Sequence, residues 1–168
     1  MNKLIRNLRR FDALDADIAR WMRSTGPVLL RYSIAVVFFW FGLLKVLGIS
    51  PAQDLVENTV YWFSNPADFV VVLGAWEMLI GLTLCVPALT RLALLLLFLQ
   101  MPGTFLPLVL LPDVCFTQFP LGLTMEGQYI IKNLVLISAA LVVGGTVRHA
   151  AWPARLHLPA RVDVDRAL

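Results

Sequence analysis

Residues 69–88, FVVVLGAWEMLIGLTLCVPA, contain a single charged side chain, Glu77. A helix of about 20 residues rises about 30 Å, which is the thickness of the hydrocarbon core of a bilayer. An ionised carboxylate without a partner costs about 3 kcal/mol near the middle of such a helix. Helical spacing puts small residues on the same stripe as this acid, namely Gly74, Gly81, Cys85 and Ala88. Because small residues mark where membrane helices approach closely, this stretch predicts a spanning helix whose acid faces protein.

The composition of the whole chain indicates a membrane protein. Of its 168 residues 59% are hydrophobic and only 15% are charged, whereas a soluble domain carries about 25% charged residues. The basic residues lie beside the apolar segments, where they act as topology signals and bind anionic lipid. We therefore expect membrane lipids as partners and no nucleic acid.

Four apolar segments predict an all-α membrane protein, a four-helix transmembrane bundle formed by residues 27–147. The expected spans are residues 28–48, 69–88, 91–111 and 128–147. Basic residues precede the first span, lie between the second and third, and follow the fourth, whereas the other two loops hold only acids. The positive-inside rule then predicts a multi-pass membrane protein with both termini in the cytoplasm, ending in a basic tail of residues 148–168.

Residues 1–26 alternate apolar and basic side chains at helical spacing. This pattern predicts an amphipathic helix that lies on the cytoplasmic leaflet, and a docking surface for a soluble partner is the alternative. Gly26 and Pro27 are expected to break this helix before the first span.

The two loops predicted outside the membrane contain structure-forming residues. Residues 55–63 can form a short interfacial helix, and residues 112–127 are long enough to fold back as a cap over the bundle. Pro102 and Pro107 predict that the third span is kinked or locally unwound.

Polar residues occur inside all four predicted spans. They are Arg31 and Lys45 in the first span, Glu77 in the second, Gln100 in the third, and Tyr129, Lys132 and Asn133 in the fourth. Counting along the spans brings Lys45, Glu77 and Lys132 to a similar depth, where two cations would keep the acid ionised. These residues are the candidate ligand-binding cluster, and no residue is assigned a catalytic role. The alternatives are that the basic side chains snorkel to the interface and that Glu77 forms a purely structural pair.

The tryptophans, cysteines and histidines give weaker evidence for a functional site than the polar residues of the spans do. Trp40, Trp76 and Tyr129 either line the same pocket or serve as packing and interface anchors. The predicted topology places Cys85 and Cys115 at opposite ends of the bundle, so they should not form a disulfide within one chain. Cys115 remains a candidate for an exposed reactive thiol or for pairing between chains. The two histidines are too few for a metal site, and motifs for haem, flavin or iron–sulfur binding are missing from the sequence.

Three segments carry a family resemblance: RYSIAVVFFWFGLLKVLGI from residue 31, GAWEMLIGLTLCVPALTR from residue 74, and GQYIIKNLVLISAALVVGG from residue 127. Together they resemble the DoxX-like superfamily of small four-helix membrane proteins, most closely the YkgB/RclC group, whose name is tied to reactive-chlorine resistance. The resemblance implies that Arg31, Lys45, Glu77, Tyr129 and Lys132 are the family's polar positions. It also implies an association with quinone-coupled or other membrane redox complexes.

These observations lead to one main hypothesis and two alternatives. The main hypothesis is a polar pocket around Glu77 that binds a small amphipathic or redox-active molecule, with a quinone as the suggested ligand, in oxidative-stress resistance or an electron-transfer complex. Electrons would then come from a soluble or membrane redox partner or from the ligand. The alternatives are an assembly subunit without a ligand and a small-molecule or anion transporter. A homo-oligomer is compatible with each of them.

Overall fold

The computed structural model describes residues 2–147, with the backbone alone for residues 2–11 and 13. Four of its helical segments are long and apolar enough to cross a membrane: Leu14–Val46, Pro66–Cys85, Pro87–Leu110 and Met125–Thr146. The prediction of an all-α membrane protein with four spans is therefore confirmed. The basic tail predicted for residues 148–168 lies outside the described residues.

The helices and strands follow one another in a simple order. They are α1 (Asn2–Val46), α2 (Gln53–Thr59), α3 (Pro66–Cys85), a 3-10 turn (Pro87–Leu89), α4 (Thr90–Phe105), α5 (Pro107–Leu110), α6 (Pro112–Cys115), strands β1 (Phe116–Gln118) and β2 (Gly122–Leu123), α7 (Met125–Ile131) and α8 (Asn133–Thr146). Because α1 runs antiparallel to α3 and the long loops follow α1 and α5, these loops lie at one end of the bundle, called the loop end below. The opposite end is called the termini end.

Helix α1 continues through Gly26 and Pro27 without interruption, so the predicted break before the first span is wrong. A proline inside a helix removes one hydrogen bond, and its ring crowds the preceding residue. That preceding residue is Gly26, which has no Cβ for the proline ring to crowd. The placement of the first 26 residues on the cytoplasmic leaflet stays a prediction.

The third and fourth spans are both interrupted. Helix α4 contains Pro102 and ends at Phe105, and α5 begins at Pro107, which confirms the predicted irregularity of the third span. The fourth span is divided between α7 and α8 at Lys132, an interruption that the sequence pattern does not predict. Both interruptions lie in the half of the bundle nearer the loop end.

Helices α1 and α3 pack closely through glycine. A methyl group added to Gly42 would lie 2.5 Å from the carbonyl oxygen of Gly74, and one added to Gly74 would lie 2.6 Å from that of Gly42. Toward the termini end, a methyl group on Gly81 would lie 2.7 Å from the carbonyl oxygen of Ala35. The backbones can approach this closely only because these positions lack side chains.

The termini half of the bundle has a well-packed apolar core. It is built from Ile34, Ala35 and Phe38 of α1, Ile80 and Leu84 of α3, Ala93, Leu94, Leu97 and Met101 of α4, and Ala139, Ala140 and Val143 of α8. Large apolar side chains also cover the outside of the bundle, among them Val72, Leu95, Leu99 and Val135. Water would be a poor solvent for such a surface, whereas lipid chains would cover it.

The loop end is covered by α2 and by a small hairpin. Strands β1 and β2 pair antiparallel, with Phe116 opposite Leu123. The hydroxyl of Thr124 donates to the carbonyl of Val114 over 2.7 Å and accepts from the amide of Gly127 over 3.1 Å, so that it caps α7. The predicted short helix in the first loop is present as α2. The second loop forms the β1–β2 hairpin, and its two ends are joined by the hydrogen bond from Thr124 to Val114.

Candidate ligand-binding site

The carboxylate of Glu77 accepts hydrogen bonds from two neighbouring helices. Nζ of Lys45 on α1 donates to Oε2 over 2.6 Å, and Nε2 of Gln100 on α4 donates to Oε1 over 2.8 Å. The exposed fractions of Lys45, Glu77 and Gln100 are only 7%, 7% and 9%. The expectation that this acid faces protein and is partnered by another helix is thus met in the structure.

The glycine contact between α1 and α3 explains why Lys45 reaches Glu77. Each charged residue follows a glycine of this contact by three positions, so it lies on the same face of its helix. In the antiparallel pair, Lys45 lies beside Gly74, and Glu77 lies beside Gly42. The two missing side chains leave the space in which the ammonium and carboxylate groups meet.

A cavity of about 240 Å³ adjoins this cluster toward the loop end. For comparison, an apolar cavity of roughly 150 Å³ is large enough to bind benzene. The polar residues on its wall are Lys45, Glu77, Gln100, Thr59, Thr104, Tyr129 and Asn133. The rest of the wall is mainly apolar and aromatic, which is typical of small-molecule sites.

Helix α2 forms the cover of this cavity. Leu55, Val56, Thr59 and Val60 line it, and Thr59 and Val60 are buried. None of the residues from 111 to 124 lines the cavity, although they are fully described. The second loop was expected to cap the bundle, but the first loop covers this site, because α2 packs against α3 and α5.

The side of the cavity between α1 and the fourth span is marked by two aromatic rings. Phe41 and Tyr129 both line the cavity, yet 37% and 43% of their surfaces are exposed. Their ring centroids are 5.9 Å apart. On this side the two rings therefore form both the wall of the cavity and the outer surface of the bundle, at a depth where that surface is apolar.

One hydrogen-bonding atom in the site has no partner within residues 2–147. It is Oε1 of Gln100, a buried carbonyl oxygen. The two oxygens of Glu77 are acceptors, so the amide must turn its NH₂ group toward them, and this fixes which way the amide points. An unpaired buried acceptor is unfavourable by about 1–3 kcal/mol, so this oxygen offsets part of the stabilisation that the hydrogen bond from Gln100 to Glu77 provides.

Two basic residues that the sequence suggested for the cluster lie elsewhere. Lys132 is exposed, does not line the cavity, and forms no ion pair with any residue of the described range. The backbone of Lys132 stays helical, and Tyr129, Asn133 and Leu136 line the cavity at three- to four-residue spacing on either side of it. Lys132 lies beside this face of the helix and is exposed. Arg31 lies 14 residues before Lys45 on the same helix, about 21 Å away, and its guanidinium lies over the Tyr32 ring at 4.8 Å.

Only one of the three aromatic residues suggested for the pocket lines it. Tyr129 does, whereas Trp40 is 60% exposed and points away from the site. Nε1 of Trp76 donates to the carbonyl of Leu96 over 3.3 Å, which joins α3 to α4. Trp76 therefore contributes packing between helices.

The sequence pattern missed the contribution of Phe41 and of the buried face of α2. Phe41 lies within a run of aromatic residues in which hydropathy distinguishes no side. In α2 a signal was available, because Leu55, Val56, Thr59 and Val60 recur at three- to four-residue spacing. That spacing indicates a helix with one apolar face, although it does not tell whether the face meets lipid or a cavity.

Cys115 is fully buried, so the suggestion of an exposed reactive thiol is wrong. The second loop closes over it, since the amide of Thr124 donates to the Cys115 carbonyl over 3.0 Å. Burial, and to a smaller extent the charge of Glu126, raise the pKa of its thiol. Cys85 lies at the exposed end of α3, and both cysteines are free thiols.

In comparisons with known proteins, the chain matches no family model, no curated protein and no solved structure.

Proposed function

We propose that this membrane protein binds a small amphipathic molecule in the cavity beside Glu77. The observation that carries the proposal is the combination of an apolar cavity of about 240 Å³ with a buried polar cluster at its wall. A structural ion pair requires no adjoining space, and well-packed interiors leave few voids larger than a water molecule. The exposed Phe41 and Tyr129 rings support entry of the ligand from the lipid side.

A quinone or another redox-active molecule is our specific candidate for the ligand. The resemblance to DoxX-like proteins motivates this candidate, and with it a place in an oxidative-stress or electron-transfer complex of the bacterial inner membrane. The cavity supports it in that a substituted ring fits an apolar space with polar groups at one side. In this proposal Lys45 and Gln100 hold the carboxylate of Glu77 in place through hydrogen bonds, and Lys132 takes no part in binding.

The assembly-subunit alternative also has an observation in its favour. Glu77 joins α3 to α1 through Lys45 and to α4 through Gln100, so the cluster holds three helices together whether or not a ligand binds. Transport receives less support, because the apolar core fills the termini half of the bundle below the cavity.

Photo-crosslinking of the protein in nanodiscs with a photoactivatable short-chain alkylquinone tests the proposal. Thr104→Phe places a large ring in the cavity wall, whereas Ser138→Phe makes the same kind of change at an exposed position of α8. We expect labelling of peptides from α1, α3 and α4 to fall about tenfold in Thr104→Phe and to stay unchanged in Ser138→Phe.

Equal labelling of the wild type and Thr104→Phe would contradict binding in this cavity. The assembly alternative is separated by a second measurement on Lys45→Met/Glu77→Met, which removes both charges together. If that variant is stable and still binds the probe as the wild type does, the charged pair serves assembly alone.

A further inference from the structure

The fourth span contributes a polar side chain to the cavity wall that no other residue uses. We propose that Asn133 of α8 binds the polar end of the ligand and that this ligand is uncharged. The inference rests on the proposed binding function and specifies the ligand class together with a residue that selects it. Asn133 lines the cavity. Within the range 2–147, the side chains of this span that form hydrogen bonds are those of Gln128, Ser138 and Thr146, so the amide of Asn133 is unpaired.

The helical position of Asn133 directs its side chain into the bundle. It follows Ile130 by three residues and precedes Ala140 by seven, and these two residues are only 3% and 0% exposed. The backbone stays helical where α7 passes into α8, so residues at these spacings share one face. Tyr129 and Leu136, four residues before Asn133 and three after it, line the cavity as well.

A molecule in the cavity can reach the amide of Asn133. The residue is half-buried, and unlike Oε1 of Gln100, its Oδ1 and Nδ2 are not unpaired atoms enclosed by the surrounding protein. An amide without a hydrogen-bond partner is unfavourable inside a membrane span. Because it offers two N–H donors and an accepting oxygen, it matches a carbonyl, hydroxyl or carboxamide group of a ligand.

The polar cluster across the cavity has no net charge to offer a ligand. Helices α1 and α4 each pack against both α3 and α8, which places Glu77 of α3 diagonally across the bundle from Asn133. The two carboxylate oxygens of Glu77 already accept from Lys45 and Gln100. Lys45 and Glu77 are the only charged residues on the wall that the described part of the chain forms. An ionic ligand would therefore bury a charge without a counter-charge, which is unfavourable.

The remaining wall requires that the rest of the ligand be apolar. Phe41, Leu55, Val56 and Met101 line the cavity away from the polar groups. A compact ring with a short alkyl chain and one uncharged polar group meets both requirements: the polar group bonds to Asn133, and the chain extends along the apolar wall.

Four probes with the same butylphenyl body test the charge of the ligand. The probe 4-butylbenzamide is polar and uncharged, 4-butylbenzoate is an anion, 4-butylbenzylamine is a cation at neutral pH, and 4-butyltoluene has no polar group. Equilibrium dialysis against protein-loaded and empty phosphatidylcholine nanodiscs measures the Kd of each probe and corrects for its partition into lipid. We expect the wild type to bind the benzamide at least about tenfold more tightly than either ion.

Asn133→Leu tests the role of Asn133, because leucine has a similar size and no polar atom in its side chain. The matched control is Asn58→Leu, since Asn58 is exposed on α2 and lies outside the cavity wall. We expect the Kd of 4-butylbenzamide to rise about tenfold in Asn133→Leu and to stay unchanged in Asn58→Leu. The Kd of 4-butyltoluene should rise in neither variant, because this probe has no group that bonds to the amide.

The possible results separate this inference from the function on which it rests. Equal Kd values of the wild type for the benzamide and both ions would overturn the uncharged ligand class and leave cavity binding intact. An equal Kd of 4-butylbenzamide for the wild type and Asn133→Leu would overturn the role of Asn133. No binding of any probe above that of empty nanodiscs would overturn the inference and the proposed function together.

A second measurement decides the role of Asn133 if Asn133→Leu does not fold. The wild type is labelled with nitrogen-15 in its asparagine side chains, and the amide NMR signals are followed as 4-butylbenzamide is added. The signals of Asn133 should shift, whereas those of the exposed Asn58 should not. Unshifted Asn133 signals at a probe concentration that saturates binding would overturn the contact.

Discussion

Glu77 shows how a charge is accommodated at a depth where an isolated charge is unfavourable. Its two carboxylate oxygens have separate donors, Lys45 and Gln100, each from a different helix. A buried ion pair of this kind gains little net stability over apolar packing, but the loss of one member leaves the other charged and unpaired. Substituting one member of the pair should therefore destabilise the protein more than substituting both members together.

Glu77→Gln should lower the free energy of unfolding by about 3 kcal/mol, because the buried ammonium of Lys45 loses its counter-charge. Thermal unfolding of the purified protein in detergent measures the effect. Lys132→Gln is the control, and at this exposed position we expect a change of less than about 0.5 kcal/mol.

A double substitution, Lys45→Met/Glu77→Gln, should restore most of the stability that Glu77→Gln loses, because no unpaired charge remains buried. Two equal unfolding temperatures for the wild type and Glu77→Gln would contradict the ion pair seen in the structure.

Cys115 offers a measurable pKa outside the membrane-spanning segments. Burial and the charge of Glu126 raise the pKa of this thiol above its ordinary value of 9.0. A raised pKa means less thiolate at any given pH, so in a carbon-13 NMR titration of the cysteine side chain the midpoint for Cys115 should lie above the ordinary thiol value.

Glu126→Gln should move the midpoint of this titration to lower pH, because removing a nearby negative charge lowers the thiol pKa. The measurement uses a Cys85→Ser background so that only Cys115 contributes. Asp113→Asn, a neutralised acid in the same loop, is the control, and an equal shift in both variants would show that Glu126 has no specific effect.

At the scale of elements, the contact between α1 and α3 determines the geometry of the site. Gly42 and Gly74 let the two backbones touch, and this contact brings Lys45 and Glu77 together. Beside this contact, α2 and the loop-end halves of the third and fourth spans enclose the cavity.

Gly74→Ala should destabilise the bundle by about 1–3 kcal/mol, because the new methyl group would lie 2.6 Å from the Gly42 carbonyl oxygen and the helices must separate. Thermal unfolding in detergent measures this change as well. Gly145→Ala in α8 is the matched control: nothing lies within 4 Å of the added methyl group, so stability should be unchanged or slightly higher. Equal effects of the two substitutions would argue against close glycine packing.

At the scale of the whole molecule, the bundle is divided into a packed half and an open half. The apolar core fills the termini half, and the cavity with its α2 cover occupies the loop half. The polar cluster lies at the boundary, where the carboxylate is shielded from lipid and still adjoins the cavity. This division suits a protein that receives a molecule from one side of the membrane or from the lipid and does not pass it through.

The positive-inside rule predicts that the loop end faces away from the cytoplasm. In a background without native cysteines, Asn58→Cys should react with a membrane-impermeant maleimide in intact spheroplasts, and Arg91→Cys should react only after the membrane is opened. Both positions are exposed and lie at opposite ends of the bundle. The reverse pattern of labelling would invert the predicted orientation.

Hydropathy and residue spacing alone determined the four spans, the irregular third span and the acid that faces protein. These properties add up along the chain: the transfer of each apolar residue into lipid contributes separately, and the direction of a side chain in an unbroken helix follows from counting. Counting along the helix also placed the small residues of α3 on one stripe, which indicated that another helix packs closely against it. Gly26 and Pro27 predicted a break in the same local way, but α1 is helical through both residues, because a glycine before proline lacks the Cβ whose contact with the ring disfavours a helix.

Only the tertiary structure decided that Lys45 pairs with Glu77 while Lys132 turns outward, and that α2 closes a cavity over the cluster. Depth along a span can be counted from the sequence, but the rotation of one helix against another cannot. For α1 and α3 that rotation is fixed by the contact between Gly42 and Gly74. A cavity is likewise a property of several elements at once, because it exists where their surfaces fail to fill the space between them.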